Sequence, residues 1–270
     1  MDKLIRRTLV SCILIPLVGA IVYLSPQWLF CAVVATFVGF GQFEFFKMVE
    51  HRGVFVYKYF GTVVGTLVPL VIYLGYAFPD VTDLEPLLII LASLFVFVLQ
   101  LIRKDNNKDH LVSMAVTLFS MFYISWFFSF LIKFRFLANG ANLITFLIMV
   151  TKGADIGAYL GGSYFGKNEL IPRISPKKTK EGTLSGIIFS MMLAMLFGPF
   201  LTGFGMIHAA VIGAVLAVIG QVGDLAESLI KRDCGVKDSG GYFADIGGVL
   251  DLIDSLLFTV PVFYLYIKTL

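Results

Sequence analysis

An all-α, polytopic integral membrane protein is what the sequence predicts, on three observations. Hydrophobic residues fill 58% of the 270 positions, charged residues only 14%, and the mean hydropathy is +0.89. An ordinary soluble domain is about 45–50% apolar and about 25% charged. Apolar runs of roughly twenty residues, the length that crosses a hydrocarbon core of about 30 Å, recur along the whole chain. Basic residues gather in every second connection between those runs, the asymmetry that orients a membrane protein.

Nine spans follow, at 8–24, 27–48, 57–78, 84–102, 112–134, 142–163, 183–204, 206–230 and 247–268. The first begins after MDKLIRR, a start like that of a signal peptide. It runs on for a full span with no small-residue cleavage site and reads as a retained helix. Seventeen basic residues fall in one set of connections: Lys3, Arg6, Arg7; Lys47, Arg52, Lys58; Arg103, Lys104, Lys108; Lys167, Arg173, Lys177, Lys178, Lys180; and Lys231, Arg232, Lys237. The opposite set has Lys133, Arg135 and Lys268. This places the N-terminus in the cytoplasm and the C-terminus outside. We expect a single membrane domain over 1–270, with apolar helices in 1–140 and the chemistry in the helices and loops of 141–270. A net charge of +3 suggests no nucleic-acid partner. Cys12, Cys31 and Cys234 have no pairing or metal-ligand spacing.

The ionisable residues inside the spans carry the functional signal, because a charge in hydrocarbon is costly unless it is paired, neutralised or functional. Glu44, set among Phe43, Phe45 and Phe46, either snorkels to the nearby surface or lines the interior. In span six Lys152 and Asp155 are about a turn apart and can neutralise each other, while Gly153, Gly157, Gly161 and Gly162 read as a close helix contact. Asp155 stays a functional candidate. Asp224, Glu227 and Lys231 share one face of span eight, and Asp251 and Asp254 share one face of span nine. Carboxylates without neighbouring His or Cys favour a hard ion such as Mg²⁺; the alternative is that Asp224 pairs with Lys152 or Lys231 as interhelical glue.

Two connections complete the pattern. The loop around IPRISPKKTKEGT offers Ser175, Lys177, Lys178 and Thr179 to a polyanion, and Glu181 and Gly182 then lead into span seven, whose N-terminus can present amides to phosphate. The run from Lys237 through Asp238 and Ser239 to Gly241 reads as a turn that returns span nine toward span eight. With only His51, His110 and His208 in the chain, and no Gly-x-Ser-x-Gly elbow, histidine or nucleophilic catalysis is not expected.

Taken together, these segments resemble the phosphatidate cytidylyltransferase (CDP-diacylglycerol synthase) family. The resemblance rests on Ser228, Lys231 and Arg232, then Lys237-Asp238-Ser239-Gly240, then Gly247-Gly248, Asp251 and Asp254. Asp155, Gly157, Ala158 and Tyr159, with Gly166-Lys167, and Ser175 to Thr179 with Glu181-Gly182 extend it in the family's order. Two places depart: Ala244-Asp245-Ile246 stands where the family has Pro-Gly-His, and Leu252 where it has Arg.

The resemblance implies transfer of CMP from CTP to phosphatidic acid, giving CDP-diacylglycerol and pyrophosphate. The site would face the cytoplasm from a bacterial inner membrane, in a chain that forms a homodimer. It also implies Mg²⁺, with Asp224 and Asp251 as leading ligands and Asp254 as a further ligand or an orienter. Lys231 and Lys237 would act in catalysis, with Asp155, Ser175, Lys177, Lys178, Thr179, Glu181, Gly182, Arg232, Asp238, Ser239, Gly247 and Gly248 binding substrate. The competing readings are a CTP-dependent kinase of a polyprenol-type lipid and an ion-coupled transporter.

Overall fold

The computed structural model describes residues 16–78, 80, 84–104, 109–241 and 247–269. The first expected span lies partly outside that set; its described part, 16–24, is helical. Eight further helices are long and apolar enough to cross a membrane: α1 (Gln27–His51), α2 (Lys58–Ala77), α3 (Leu84–Ile102), α4 (His110–Arg135), α5 (Gly140–Phe165), α6 (Lys180–Leu201), α7 (Met206–Asp233) and α8 (Val249–Thr269). No end differs from the sequence expectation by more than three residues. Apolar spans must be helical here, because a helix satisfies its own backbone groups where water is absent. The leanest in polar groups, α3, has hydropathy 2.4 and is 17% buried, as suits a lipid-facing helix, whereas α8 has hydropathy 1.6 and is 61% buried.

Contacts divide the chain into two compact units. The first comprises Met1–Phe136 with Asp233–Leu252, the second Leu137–Arg232 with Ile253–Leu270. In the first, α1 packs along α2, and α4 carries a π-helical turn at Met121–Trp126. Some of its polar groups pair: Glu85 Oε1 accepts from Trp126 Nε1 at 2.6 Å and from Lys133 Nζ at 2.8 Å, and Arg135 Nη2 donates to the Ser25 carbonyl at 3.0 Å.

In the second unit the dominant contact is α5 on α6. Glycines make it, as the small-residue spacing in span six implies. A Cβ at Gly186 would lie 2.7 Å from the Ala154 carbonyl oxygen, and one at Gly182 would lie 2.8 Å from that of Ala158. Backbone atoms cannot yield, so only glycine allows this approach. Ser190 Oγ locks the stack, lying 3.0 Å from the Val150 carbonyl oxygen and 2.9 Å from that of Gly213 on α7. Thr151 and Thr259 bring α5 to α8 at 3.4 Å.

The expected irregular loop between α5 and α6 contains an antiparallel hairpin instead, β1 (Glu169–Ile171) with β2 (Ser175–Thr179), turning at Pro172 and Arg173. Its strands are too short and polar to show an alternating pattern. Prediction: Gly186→Val lowers the thermal stability of the detergent-solubilised protein by about 1–3 kcal/mol, the usual cost of overpacking. Gly19→Ala, whose Cβ would meet nothing within 4 Å, serves as the control and leaves the unfolding temperature unchanged.

Candidate active site

The second unit gathers its charges around one ammonium. Lys152 Nζ lies 2.8 Å from Ser255 Oγ, 3.4 Å from Asp155 Oδ2 and 3.7 Å from Asp254 Oδ1. Ser255 Oγ lies 3.2 Å from Asp155 Oδ2, so the hydroxyl accepts from the lysine and donates to the acid. The expected Lys152–Asp155 neutralisation is present, and it extends to Asp254. Asp224 is held differently from either sequence alternative: its Oδ2 pairs with Lys178 Nζ of β2 at 2.6 Å, not with Lys152 or Lys231. Lys231 instead pairs at 3.3 Å with Glu227, which is fully buried. The sharing of a helix face by Asp224, Glu227 and Lys231 therefore does not make them one cluster.

A cavity of about 510 Å³ opens beside these groups, within the usual range for a small-molecule site. Asp155, Tyr159, Ser163, Lys177, Lys178, Thr179, Thr183, Gln221 and Asp224 supply its polar wall, over small residues that include Ala154, Ala158, Gly162, Gly182 and Gly186. The glycines that let α5 and α6 touch also leave this space unfilled. Gln221 Nε2 donates to Thr183 Oγ1 at 3.0 Å. Gln221, Thr183 and Ser255 are site residues that sequence reasoning passed over. The signal was available: Gln221 is one turn before Asp224, and Ser255 follows Asp254.

The hairpin and the start of α6 are built by residues expected to bind substrate. Thr179 Oγ1 caps α6 by accepting from Gly182 N at 3.1 Å. The Glu181 carboxylate accepts from the amides of Lys167 and Asn168, both at 3.1 Å, and from Asn168 Nδ2 at 2.6 Å. Thr179 thus joins the end of β2 to the start of α6, and Glu181 ties the residues before β1 to the same helix end. Arg232 Nε donates to the Ile174 carbonyl at 3.2 Å, bracing the hairpin turn. Lys177 is exposed along the cavity, and Ser175 begins β2.

The signature turn is a separate construction in the first unit. Asp251 Oδ2 accepts from Ser239 N at 3.0 Å and Gly248 N at 2.7 Å, and lies 2.8 Å from Ser239 Oγ. Asp251, expected as a metal ligand, thus ties the two ends of the turn. Glu44 is 1% exposed, so it lines the interior and does not snorkel. Its carboxylate accepts from the amides of Val249 at 2.9 Å and Leu250 at 2.8 Å. Gly247 takes φ +107°, which favours glycine, while Lys237 and Asp238 are exposed. Ala244, Asp245 and Ile246 lie outside the described residues. Burial, with the Asp233 charge beside it, pushes the Cys234 thiol above its usual pKa, as suits an inert thiol.

Among the described residues no three His, Cys, Asp or Glu side chains are placed to hold a metal ion. The expected trio of Asp224, Asp251 and Asp254 is therefore not a preformed cage. The donor set still suits Mg²⁺, which characteristically takes one or two carboxylates and completes its shell with water and substrate phosphates. Asp155 and Asp224 both line the cavity.

Eight membrane-length helices among the described residues, with a pocket walled by lysines and carboxylates, define a polytopic membrane protein. The chain belongs to the cytidylyltransferase family, whose model matches residues 5–270. It is 31% identical over 284 residues to phosphatidate cytidylyltransferase 4, chloroplastic, of Arabidopsis thaliana, a match covering 93% of this chain and 70% of that one. It is 39% identical over 150 residues to the phosphatidate cytidylyltransferase of Bacillus subtilis (53% of this chain, 54% of that one). It is also 39% identical over 153 residues to the uncharacterized protein YnbB of Escherichia coli (57% and 51%). The matched region thus spans about half the length of the two bacterial relatives.

Prediction: Lys152→Met leaves Asp155 and Asp254 facing each other without their cation and lowers stability by about 1–3 kcal/mol. Adding Asp254→Asn to Lys152→Met restores part of that loss in the thermal unfolding of the purified protein. If the single variant melts like the parent, Lys152 is not the hub.

Proposed function

We infer that this chain transfers CMP from CTP to phosphatidic acid, releasing pyrophosphate and leaving CDP-diacylglycerol in the bilayer. The observation that carries the reading is the cavity in which Lys177 and Lys178 face Asp155 and Asp224. The names of the Arabidopsis and Bacillus relatives support the choice of substrates.

The chemistry asks little covalent help from the protein. A phosphatidate oxygen attacks the α-phosphorus of CTP, that P–O bond forms, and the bond to the pyrophosphate oxygen breaks. The attacking oxygen is already anionic, so no strong base is required. The difficulty is to hold two polyanions in line and to offset the charge of the transition state. Lys177 and Lys178 supply positive charge from the hairpin, while Thr183 and Gln221 offer hydrogen bonds from α6 and α7. Asp224, with Asp155 and Asp254 nearby, would hold Mg²⁺. When bound, the ion draws charge from the phosphate oxygens and so favours attack at phosphorus.

Charge balance explains the pairing seen without ligand. Asp155, Asp224 and Asp254 are set against Lys152 and Lys178, a net charge of one negative unit. With a divalent cation held there the balance would be one positive unit, and Lys178, no longer needed by Asp224, would be available to phosphate. The same reading orients the protein with the hairpin and the Lys237 turn in the cytoplasm, where CTP is available, and with the C-terminus on the opposite side.

The test supplies the purified protein with α-³²P-labelled CTP, phosphatidic acid and Mg²⁺. Label moves into the lipid fraction; label held in water-soluble CDP would indicate a lipid kinase and overturn the reading. Asp224→Asn stays folded and loses at least about a hundredfold in turnover, as expected when a charge is removed from a preorganised phosphoryl site. Wild-type turnover in that variant would remove Asp224 from the site.

A further inference from the structure

Glu44 is the one ionisable side chain in α1 that is fully enclosed, and its hydrogen bonds reach about two hundred residues along the chain. Oε1 accepts from Val249 N, and Oε2 accepts from Leu250 N and lies 3.1 Å from Ser239 Oγ. Val249 and Leu250 open α8, where helical amides have no partner within the helix and the dipole favours negative charge. The carboxylate thus fills the position of an N-cap from another helix. A Cβ on Gly240 or Gly248 would run into it, which gives these signature glycines a physical reason: they seat Glu44.

Ser239 joins this carboxylate to the next one. Its hydroxyl has a single hydrogen, yet it lies 3.1 Å from Glu44 Oε2 and 2.8 Å from Asp251 Oδ2. It can donate to only one of them at a time, so the two acids share one donor and are fixed relative to each other. Ser239 and the first residues of α8 are thus pinned to the same two carboxylates, and Lys237 and Asp238 adjoin Ser239.

We propose that Glu44 is a positioning residue, acting through Ser239 and the first amides of α8 to hold residues 237–241 and 248–251 in their working geometry. The claim rests on the proposed CMP transfer for its kinetic effect, and on the first unit alone for its structural one. An apolar residue could fill the space but would leave two buried amides without an acceptor. A glutamine would turn one oxygen into a second donor facing them.

The experiment pairs kinetics with amide exchange on the full-length protein in detergent. Glu44→Gln lowers kcat by about 10- to 100-fold, the usual penalty for losing an orienting partner, with KM for CTP within about twofold. Exchange quickens in peptides covering 239–251 and is unchanged in those covering 140–165. Glu44→Asp, which keeps the charge but is one methylene shorter, recovers part of kcat. Ser239→Ala leaves the two backbone contacts of Glu44 in place, lowers kcat less, and is non-additive with Glu44→Gln. Unchanged kcat, unchanged exchange at 239–251, a kcat loss that only follows the loss of folded protein, or additive double-variant effects would each overturn the proposal. If Glu44→Gln does not fold, Ser239→Ala decides. Should the parent protein itself fail to label lipid, the functional reading falls and the exchange data alone judge the clamp.

Discussion

Asp155, Asp224 and Asp254 lie close together in the second unit and are offset by Lys152 and Lys178, of which Lys152 serves two of the three acids. Its ammonium lies within 3.7 Å of both Asp155 and Asp254 and hydrogen-bonds to Ser255. Uncompensated, each acid would carry a desolvation penalty of several kcal/mol in an apolar bundle. Compensated, they are fixed in place, with Asp155 lining the cavity. On the proposed function, the residual negative charge would suit a cation, and the cation would in turn suit phosphates.

Packing and chemistry are joined in the contact of α5 with α6. The same glycines that draw these helices together keep large side chains out of the space above them, so the cavity is a by-product of the tightest contact in the unit. The hairpin then closes one side of that space. Its two ends are fastened to the start of α6 by Thr179 and Glu181, which accept from backbone amides. Residues that look like substrate ligands in a basic loop thus include some that act by building the loop.

Much of this was legible in the sequence, for definite reasons. Spans α1 to α8 could be read because hydrocarbon thickness imposes one length and one composition on each. The glycine contact could be read because small residues at a spacing of four form one helix stripe. Partners could not be read: spacing along α7 puts Asp224 and Lys231 on one face, but Lys178 reaches Asp224 from a strand that no periodicity announces. Glu44 was undecidable because its partners are Ser239, Val249 and Leu250, far along the chain. The hairpin escaped notice because strands of three and five residues, with Pro172 in the turn and Pro176 in the second strand, have no period.

The central claim is that the protein provides an incomplete cation site, which the nucleotide completes. Binding of Mn²⁺ to the purified protein, followed by its electron paramagnetic resonance signal in place of Mg²⁺, tests this directly. The account predicts weak binding to the protein alone, strong binding once CTP is added without lipid, and loss of that gain in Asp224→Asn. Tight binding without nucleotide, or a gain from CTP that survives in Asp224→Asn, would contradict it.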